Sequence, residues 1–506
     1  MKKIHNSKYP IYLLITALLT WSVFLMLVWQ EQGFSLNWDE VDYVNATRLG
    51  FWANYIEKGS LSAQEYIEFS LSKLEKSQNN EYSLPPNYSE EKDPFLLRHY
   101  HPPFVNYLLS VINITVGTNS ERLARSVQLF GALVFILLVF GCYYRMTGGE
   151  VNIASLVVIS CLSIWMSSYL FNTIHYHGWI SVWFVLICWF LTNWLNEDRS
   201  GIPLIASLAL AVLTLETGLF IVFYTLIIVL AFAYLKIKTI SWKQIIFAFI
   251  LLSGLIMLGW GGAFLKISLL KIFGQHLYRF MLGQEYSGAT ERLFGGFILL
   301  MPVFLMSIIA LVFLIKENAK QTKKWIVFFV MGWLYALVMF PLSISQTYFL
   351  PAVGPLMIFI AGTLSIISSK WVRLPIAFLA VILFLSTVVT KSRIDSSQDI
   401  QFRNDLDWVR DKLKDRESFV DGGHIFRFYL DDNQLIKPLT VGYTGKDKFA
   451  IRENGKYVLI EDDRAQGKIF IILKKRQDFE QNKEQLVPSN CRLYERPTIW
   501  FYDCGN

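Results

Sequence analysis

Two adjacent carboxylates, Asp39 and Glu40, lie in the stretch NWDEVDY at 37–43, directly after an apolar run of membrane-helix length. A carboxylate at such a boundary can take the proton from a hydroxyl and so turn a poor nucleophile into a useful one. The same residues can simply open a helix. Asn37 stands where an N-cap would, Glu40 falls at the third helical position, and acidic groups in a first turn suit the helix dipole whatever the function.

Other polar residues with chemical potential are scattered along the chain. In RHYHPPFVNYLLSV at 98–111, His99 and His101 precede Pro102 and Pro103, and a proline restricts the residue before it, which limits where His101 points. An ordinary proline-initiated helix explains the same residues, and the following apolar run is too short to span, so the chain is expected to dip against the membrane surface there. FNTIHYHGW places His175 and His177 two residues apart, able to bind a metal, bond a sugar or phosphate, or merely sit at the interface. Glu216, in LTLETGLF, is costly at membrane depth and then faces a cavity, unless it lies at the water boundary in a turn. Arg279 and Arg292, in a long loop at 265–292, suit an anionic head group or plain interfacial anchoring, and Tyr348 suits a phosphate or sugar oxygen or an aromatic belt. His99, His101, His175, His177, Asp39 and Glu40 offer metal ligands in no recognised spacing, so no cofactor is certain and a divalent cation is possible.

What must position these residues is a membrane bundle. The chain has 506 residues, 54% of them hydrophobic and 17% charged, with a mean hydropathy of +0.39, which fits a polytopic α-helical membrane protein and not a soluble enzyme. The net charge of +7 does not gather into one basic stripe, so a nucleic-acid partner is not expected. The first apolar run follows Lys2, Lys3 and Lys8 like a signal peptide, but it lacks a small-residue cleavage site and is read as an uncleaved first span. Further spans are expected at about 126–144, 151–169, 178–195, 203–215, 218–235, 244–264, 293–315, 325–343, 349–369 and 372–390, giving about 11 transmembrane helices.

Arg145, Arg199, Lys236, Lys238, Lys243, Lys316, Lys320, Lys323, Lys324, Lys370 and Arg373 fall in alternate loops with the N-terminus, which the positive-inside rule makes cytoplasmic. The other face receives a large first loop at about 30–103, the other polar loops and a tail at 391–506. In the first loop, near-helical apolar spacing at 41–55 and 62–76 suggests helices lying on the outer leaflet. The tail reads as a small α/β domain: FRNDLDWVRDKLK has a helical period, and KYVLIED, KIFIILKK and PTIWFY are strand-like. Cys142, Cys161 and Cys188 are read as small buried hydrophobes, whereas Cys491 and Cys504 either join as a disulfide or stay as two thiols.

The order of these motifs resembles the GT-C membrane glycosyltransferases, in particular the protein O-mannosyltransferases and the lipid A aminoarabinose transferases. The likeness is carried by WDE just past the first helix, HPPF near the end of the same loop, ERLARSVQLFGAL at 121–133 with Arg125 at the family's usual arginine, and QTYFLPAVGPLMIFIAG at 346–362. It covers about residues 10–390 and implies a GT-C-like transmembrane domain at 1–390 and an extracytoplasmic domain at 391–506. It further implies an integral protein of a prokaryotic inner membrane, acting at its outer face. Such enzymes move a sugar from a polyprenyl-phosphate donor, with inversion, to a hydroxyl on a lipid, glycan or protein acceptor. Asp39 matches the family's catalytic aspartate, and Glu40 would shape the site. His101 matches a position where relatives carry a lysine, in keeping with a donor-phosphate role. The chain departs from the pattern at His175 and His177, where relatives have an acidic residue, and at Glu216, where many have a basic or aromatic one. A transporter or flippase of a lipid-linked sugar is the alternative, although no inverted repeat is visible and the candidate polar residues gather on one face.

Overall fold

A computed structural model of the chain describes residues 9–37, 40, 41, 43, 44, 47, 102–118, 120–149, 151–197, 200–215, 217–235, 238–260, 289–317, 319–342, 346–413, 416–421, 423–430, 436–441, 449–453, 456–460, 465–474 and 490–505. Helix α1 (Tyr9–Gln32) is followed by the short α2 (Phe104–Thr115), then α3 (Glu121–Thr147), α4 (Ile153–Leu170), α5 (Tyr176–Glu197), α6 (Ile202–Thr214) and α7 (Gly218–Tyr234). The bundle continues through α8 (Trp242–Trp260), α9 (Ala289–Glu317), α10 (Ala319–Leu342), α11 (Val353–Ile366) and α12 (Lys370–Ser392).

Among the described residues, a helix overlaps each stretch where the sequence predicts a span. Six stretches of these residues are long and apolar enough to cross a membrane: Pro10–Gln32, Glu121–Thr147, Ile153–Leu170, Tyr176–Asn196, Trp242–Gly259 and one that begins at Lys370 with α12, which marks an integral membrane protein. The apolar stretches Ile202–Thr214, Gly218–Tyr234, Leu300–Lys316, Trp325–Met339 and Leu350–Ile366 are shorter. At about 1.5 Å per residue, α6 covers about 20 Å of the roughly 30 Å hydrocarbon core.

Without a hydrophobic drive between helices in lipid, close approach depends on small residues. Helices α6 and α7 approach closely, since a Cβ at Gly218 would lie 2.4 Å from the carbonyl carbon and oxygen of Ala211. Gly218→Ala is therefore expected to cost at least about 1–3 kcal/mol by overpacking. Gly254, where an added Cβ would meet nothing within 4 Å beyond its own helix, is the control: Gly254→Ala should match or slightly exceed the wild-type unfolding midpoint in detergent. Polar side chains add a second kind of contact, as where Asn152 Nδ2 donates to the Leu364 carbonyl and Ser155 Oγ to that of Ala361, both at 2.8 Å, joining α4 to α11.

After α12 the chain enters a small α/β domain: α13 (Ser397–Leu413), β1 (Ser418–Asp421), α14 (Gly423–Tyr429), β2 (Ile436–Val441), β3 (Phe449–Glu453), β4 (Lys456–Leu459), β5 (Ile469–Leu473), β6 (Arg492–Glu495) and β7 (Ile499–Asp503). The sheet order is β4-β3-β2-β1-β5-β7-β6, with β2, β1 and β5 parallel and the outer pairs antiparallel. Strand alternation divides its apolar residues between two faces. Ile469, Ile471, Ile499 and Phe501 meet Leu406, Val409 and Leu413 of α13, whereas Phe470, Ile472, Trp500 and Tyr502 form a second cluster with Phe419.

Cys491 and Cys504 are joined as a disulfide. They stand just outside the antiparallel pair β6/β7, whose register matches Arg492 with Asp503, so the two cysteines meet at the open end of that hairpin. The closed loop spans a sequence separation of 13 residues. Replacing both by Ser is expected to cost the tail domain about 3 kcal/mol, as a lower unfolding midpoint under non-reducing conditions.

Candidate functional site

The local sequence fixes the first part of the site. α1 ends at Gln32, the Gly33 and Phe34 amides bond back to the carbonyls of Gln30 and Glu31, and the chain reaches Asn37. There a reciprocal cap forms: Asn37 Oδ1 accepts from the Glu40 amide at 3.0 Å, and Glu40 Oε2 accepts from the Asn37 amide at 2.9 Å. This is a capping-box arrangement, with Asn in place of the usual Ser or Thr, and it starts a helical turn at Glu40.

The Glu40 carboxylate has further partners. Arg125, one turn into α3, forks onto it, Nε to Oε1 at 2.7 Å and Nη2 to Oε2 at 2.6 Å, and the Ile174 amide donates to Oε1 at 2.9 Å. Each carboxylate oxygen thus accepts two hydrogen bonds. Both side chains are out of solvent, Arg125 at 4% and Glu40 at 0% exposure. A buried pair of this kind is stable only with such full satisfaction, and a carboxylate so saturated is poorly placed to accept a substrate proton. Arg125 also donates to the carbonyls of Glu31 (2.8 Å), Gln32 (3.2 Å), Phe34 (2.8 Å) and Ser35 (3.3 Å). It therefore binds the carbonyl-rich end of α1, where a cation also complements the helix dipole.

The segment between α4 and α5 docks on the same spot. Gln32 Nε2 donates to the Asn172 carbonyl (3.0 Å) and to Asn172 Oδ1 (3.1 Å), and Asn172 Nδ2 donates to Glu31, whose carboxylate also pairs with Lys391 at 2.7 Å. Gln128 Nε2 donates to the His175 carbonyl at 2.8 Å. The His175 and His177 rings stack with centroids 4.3 Å apart, and His177 meets the Tyr348 ring edge-on at 4.3 Å. Tyr43 meets Tyr176 edge-on at 5.4 Å, tying the turn that begins at Glu40 to the histidine segment. Phe104 of HPPF opens α2 and packs on Trp179 and Trp183 of α5, at 5.4 and 5.2 Å.

Glu40, His175, His177 and Tyr348, separated by up to 308 positions, are thus gathered at one end of the bundle. Arg292 stands in the first turn of α9. Asp39, His99, His101, Glu216 and Arg279 lie outside the described residues, as do the first-loop helices expected at 62–76 and most of 41–55. Among the described residues no group of three or more His, Cys, Asp and Glu side chains is placed to hold a metal. An ion midway between the stacked imidazoles would lie out of both ring planes, away from their lone pairs.

Several residues that hold this end together carry no motif. Glu31, Gln32, Gln128, Asn172 and Lys391 act through partners 47 to 360 positions away, and no local pattern marks them. The C-terminal domain contributes too. Asp399 of α13 accepts from the Ser35 amide at 2.6 Å and from Arg403 Nε at 2.9 Å. Burial disfavours its charged form, but the hydrogen bonds from Ser35 and the Arg403 guanidinium outweigh that and hold the carboxyl below its ordinary 3.8. Because this folded-state value is depressed, the stabilisation is present above the ordinary value and is lost as pH falls through the folded one.

No protein-family model matches the sequence, and no curated protein matches it. Among solved structures, ArnT from Cupriavidus metallidurans bound to undecaprenyl phosphate aligns with a TM-score of 0.59 at 13% identity, over 98% of this chain and 98% of that one. The same protein in its apo state gives 0.58 at 12% identity, again over 98% of each chain. An oligosaccharyltransferase from Archaeoglobus fulgidus, solved with zinc and sulfate, aligns at a TM-score of 0.42 and 13% identity over 78% of this chain and 62% of its own, too loosely to bear on the site. At such identities the likeness speaks for the fold, and it takes in the bundle and the terminal sheet together. In fold, this chain is similar over nearly its whole length to the membrane protein ArnT.

Proposed function

We propose that the protein is an inverting glycosyltransferase that takes a sugar from a polyprenyl-phosphate donor and passes it to a hydroxyl acceptor at the outer face of the membrane. The observation that carries the reading is the near end-to-end match in fold to an ArnT structure that holds undecaprenyl phosphate. The motif order WDE, HPPF, Arg125 and QTYF supports it, as does the gathering of the loops that carry these motifs at one end of the bundle. Described basic residues of the interhelical links, Arg145, Lys238, Lys243, Lys316, Lys370 and Arg373, belong to the opposite helix ends, which supports an outer location for the site and the tail domain.

In this reading Asp39 removes the acceptor proton as the acceptor oxygen attacks the anomeric carbon from the side opposite the phosphate. The carbon–oxygen bond to phosphate breaks, the polyprenyl phosphate leaves with the electron pair, and one displacement inverts the centre. Glu40 serves as the fixed anion that holds Arg125, and both orient the residue beside them. Charge growing on the departing phosphate calls for donors aimed at it, a role for His101, Arg279 and Arg292, with His99, His175, His177, Glu216 and Tyr348 lining the sugar or the phosphate. The acceptor is a lipid, glycan or protein hydroxyl.

The test is purified protein in nanodiscs, supplied with polyprenyl-phosphate sugars and candidate acceptors. Release of free polyprenyl phosphate coupled to an inverted glycoside supports the reading. Movement of intact donor between leaflets with no transfer would replace it with a flippase. A chelator arm decides whether a divalent cation takes part.

A further inference from the structure

The chain that leads into Asp39 is gripped from two sides. Arg125 takes the carbonyls of Phe34 and Ser35. The tail domain takes the rest: Arg403 Nη2 donates to the Gly33 carbonyl at 2.7 Å, Asp399 accepts from the Ser35 amide at 2.6 Å, and Tyr429 Oη accepts from the Leu36 amide at 2.8 Å. These tail residues are themselves tied to α3, because Arg403 Nη2 also donates to Glu121 Oε1 at 2.7 Å and Tyr429 Oη donates to the same oxygen at 3.2 Å. Burial, and then the neighbouring Glu121, push the Tyr429 phenol above its ordinary value, so it keeps the proton it donates. Backbone groups of every residue from Gly33 to Leu36 are therefore committed to a side chain of α3, α13 or α14.

We propose that α13 and α14 of the C-terminal domain set the position of the loop carrying Asp39, with Arg403 as a positioning residue. The inference rests on the glycosyltransferase reading for its effect on turnover, though not for the grip itself. Its physical basis is leverage: the pinned segment ends one residue before the Asn37 cap, and a displacement of about 1 Å at reacting atoms costs about 100-fold in rate. Arg403 is 40% exposed, so its ion pairs add little to global stability. Positioning and folding can therefore be separated by experiment.

The full-length protein in nanodiscs is compared with Arg403→Ala and Arg403→Lys. For Arg403→Ala, kcat should fall about 10- to 100-fold while the donor KM stays within about twofold and the unfolding midpoint stays near wild type. Arg403→Lys should recover part of the rate, since a lysine can reach one of the three acceptors. Glu121→Gln combined with Arg403→Ala should lose no more than Arg403→Ala alone, as members of one network do. A readout independent of transfer is labelling of Leu36→Cys, at a position now 2% exposed, by a membrane-impermeant maleimide in a Cys161→Ala background. Arg403→Ala should speed that labelling about tenfold or more, the mark of a freed loop.

Unchanged labelling overturns the grip. Faster labelling with wild-type kcat overturns its catalytic role, and a rate loss matched by a fallen midpoint reduces Arg403 to a folding residue. A wild-type protein that transfers no sugar sinks the transferase reading, while the labelling result still decides the grip.

Discussion

Asp39→Asn should, on the proposed function, lower kcat for sugar transfer by about 10²- to 10⁴-fold, with donor affinity nearly unchanged. The amide keeps the size and hydrogen-bonding reach of the carboxylate but cannot take a proton at neutral pH, so only the step that needs a base is affected. Glu40→Gln is the informative contrast. Its carboxylate is already occupied by Arg125, Ile174 and Asn37, so the change should disturb the fold of the loop as well as the rate. Two measurements check this: transfer rate with saturating donor, and polyprenyl-phosphate binding followed by intrinsic fluorescence. Equal losses of turnover and stability in both variants would mean that Asp39 is a structural acid like its neighbour.

Arg125→Ala should be the most destabilising single change at this end of the bundle. It strands the Glu40 carboxylate at 0% exposure with no cation, and removing one partner of a buried pair costs about 3–5 kcal/mol. Four carbonyls of residues 31, 32, 34 and 35 lose a donor at the same time. Arg125→Lys should rescue little, because a single ammonium cannot reproduce a fork that meets both carboxylate oxygens and the carbonyls together. Glu40→Gln added to Arg125→Ala should restore part of the unfolding midpoint, since no bare charge is then left behind. Turnover should stay low, because the chain before Asp39 is still released. A wild-type midpoint for Arg125→Ala, measured by thermal unfolding in nanodiscs, would show that water reaches Glu40 and that the pair is not the keystone described.

How far the sequence reveals this depends on the range of the interaction. The Asn37–Glu40 cap is legible because its partners are three residues apart, and the structure has both of its hydrogen bonds. The helices of the bundle are legible from apolar runs, although composition alone does not separate long helices such as α3 from shorter ones such as α6. In the tail, β5 and β7 are announced by IFIIL and IWFYD, whose two faces are both buried. β1 has only 4 residues, β2 (IKPLTV) carries a proline that speaks against a strand, and α14 is a helix of 7 residues too brief to show a period. Arg125 is found through motif resemblance, but its partner Glu40, 85 positions away, is not deducible from either residue. The same holds for Arg403 and Tyr429, whose neighbours are set by how the bundle closes. His175 and His177 are noticed by spacing, whereas their stacking on each other and against Tyr348 depends on where the α10–α11 link comes to rest.

The sequence distances in these contacts bear on biogenesis. The segment at 33–36 is synthesised well before its partners, since Asp399 and Tyr429 are made 364 and 393 residues later than Ser35 and Leu36. At translation rates of about 5–20 residues per second, the nascent chain waits on the order of tens of seconds before those partners exist. A chain stopped before residue 399 would lack both of these partners, so on the proposed function such incomplete molecules would hold the loop before Asp39 too loosely to consume donor.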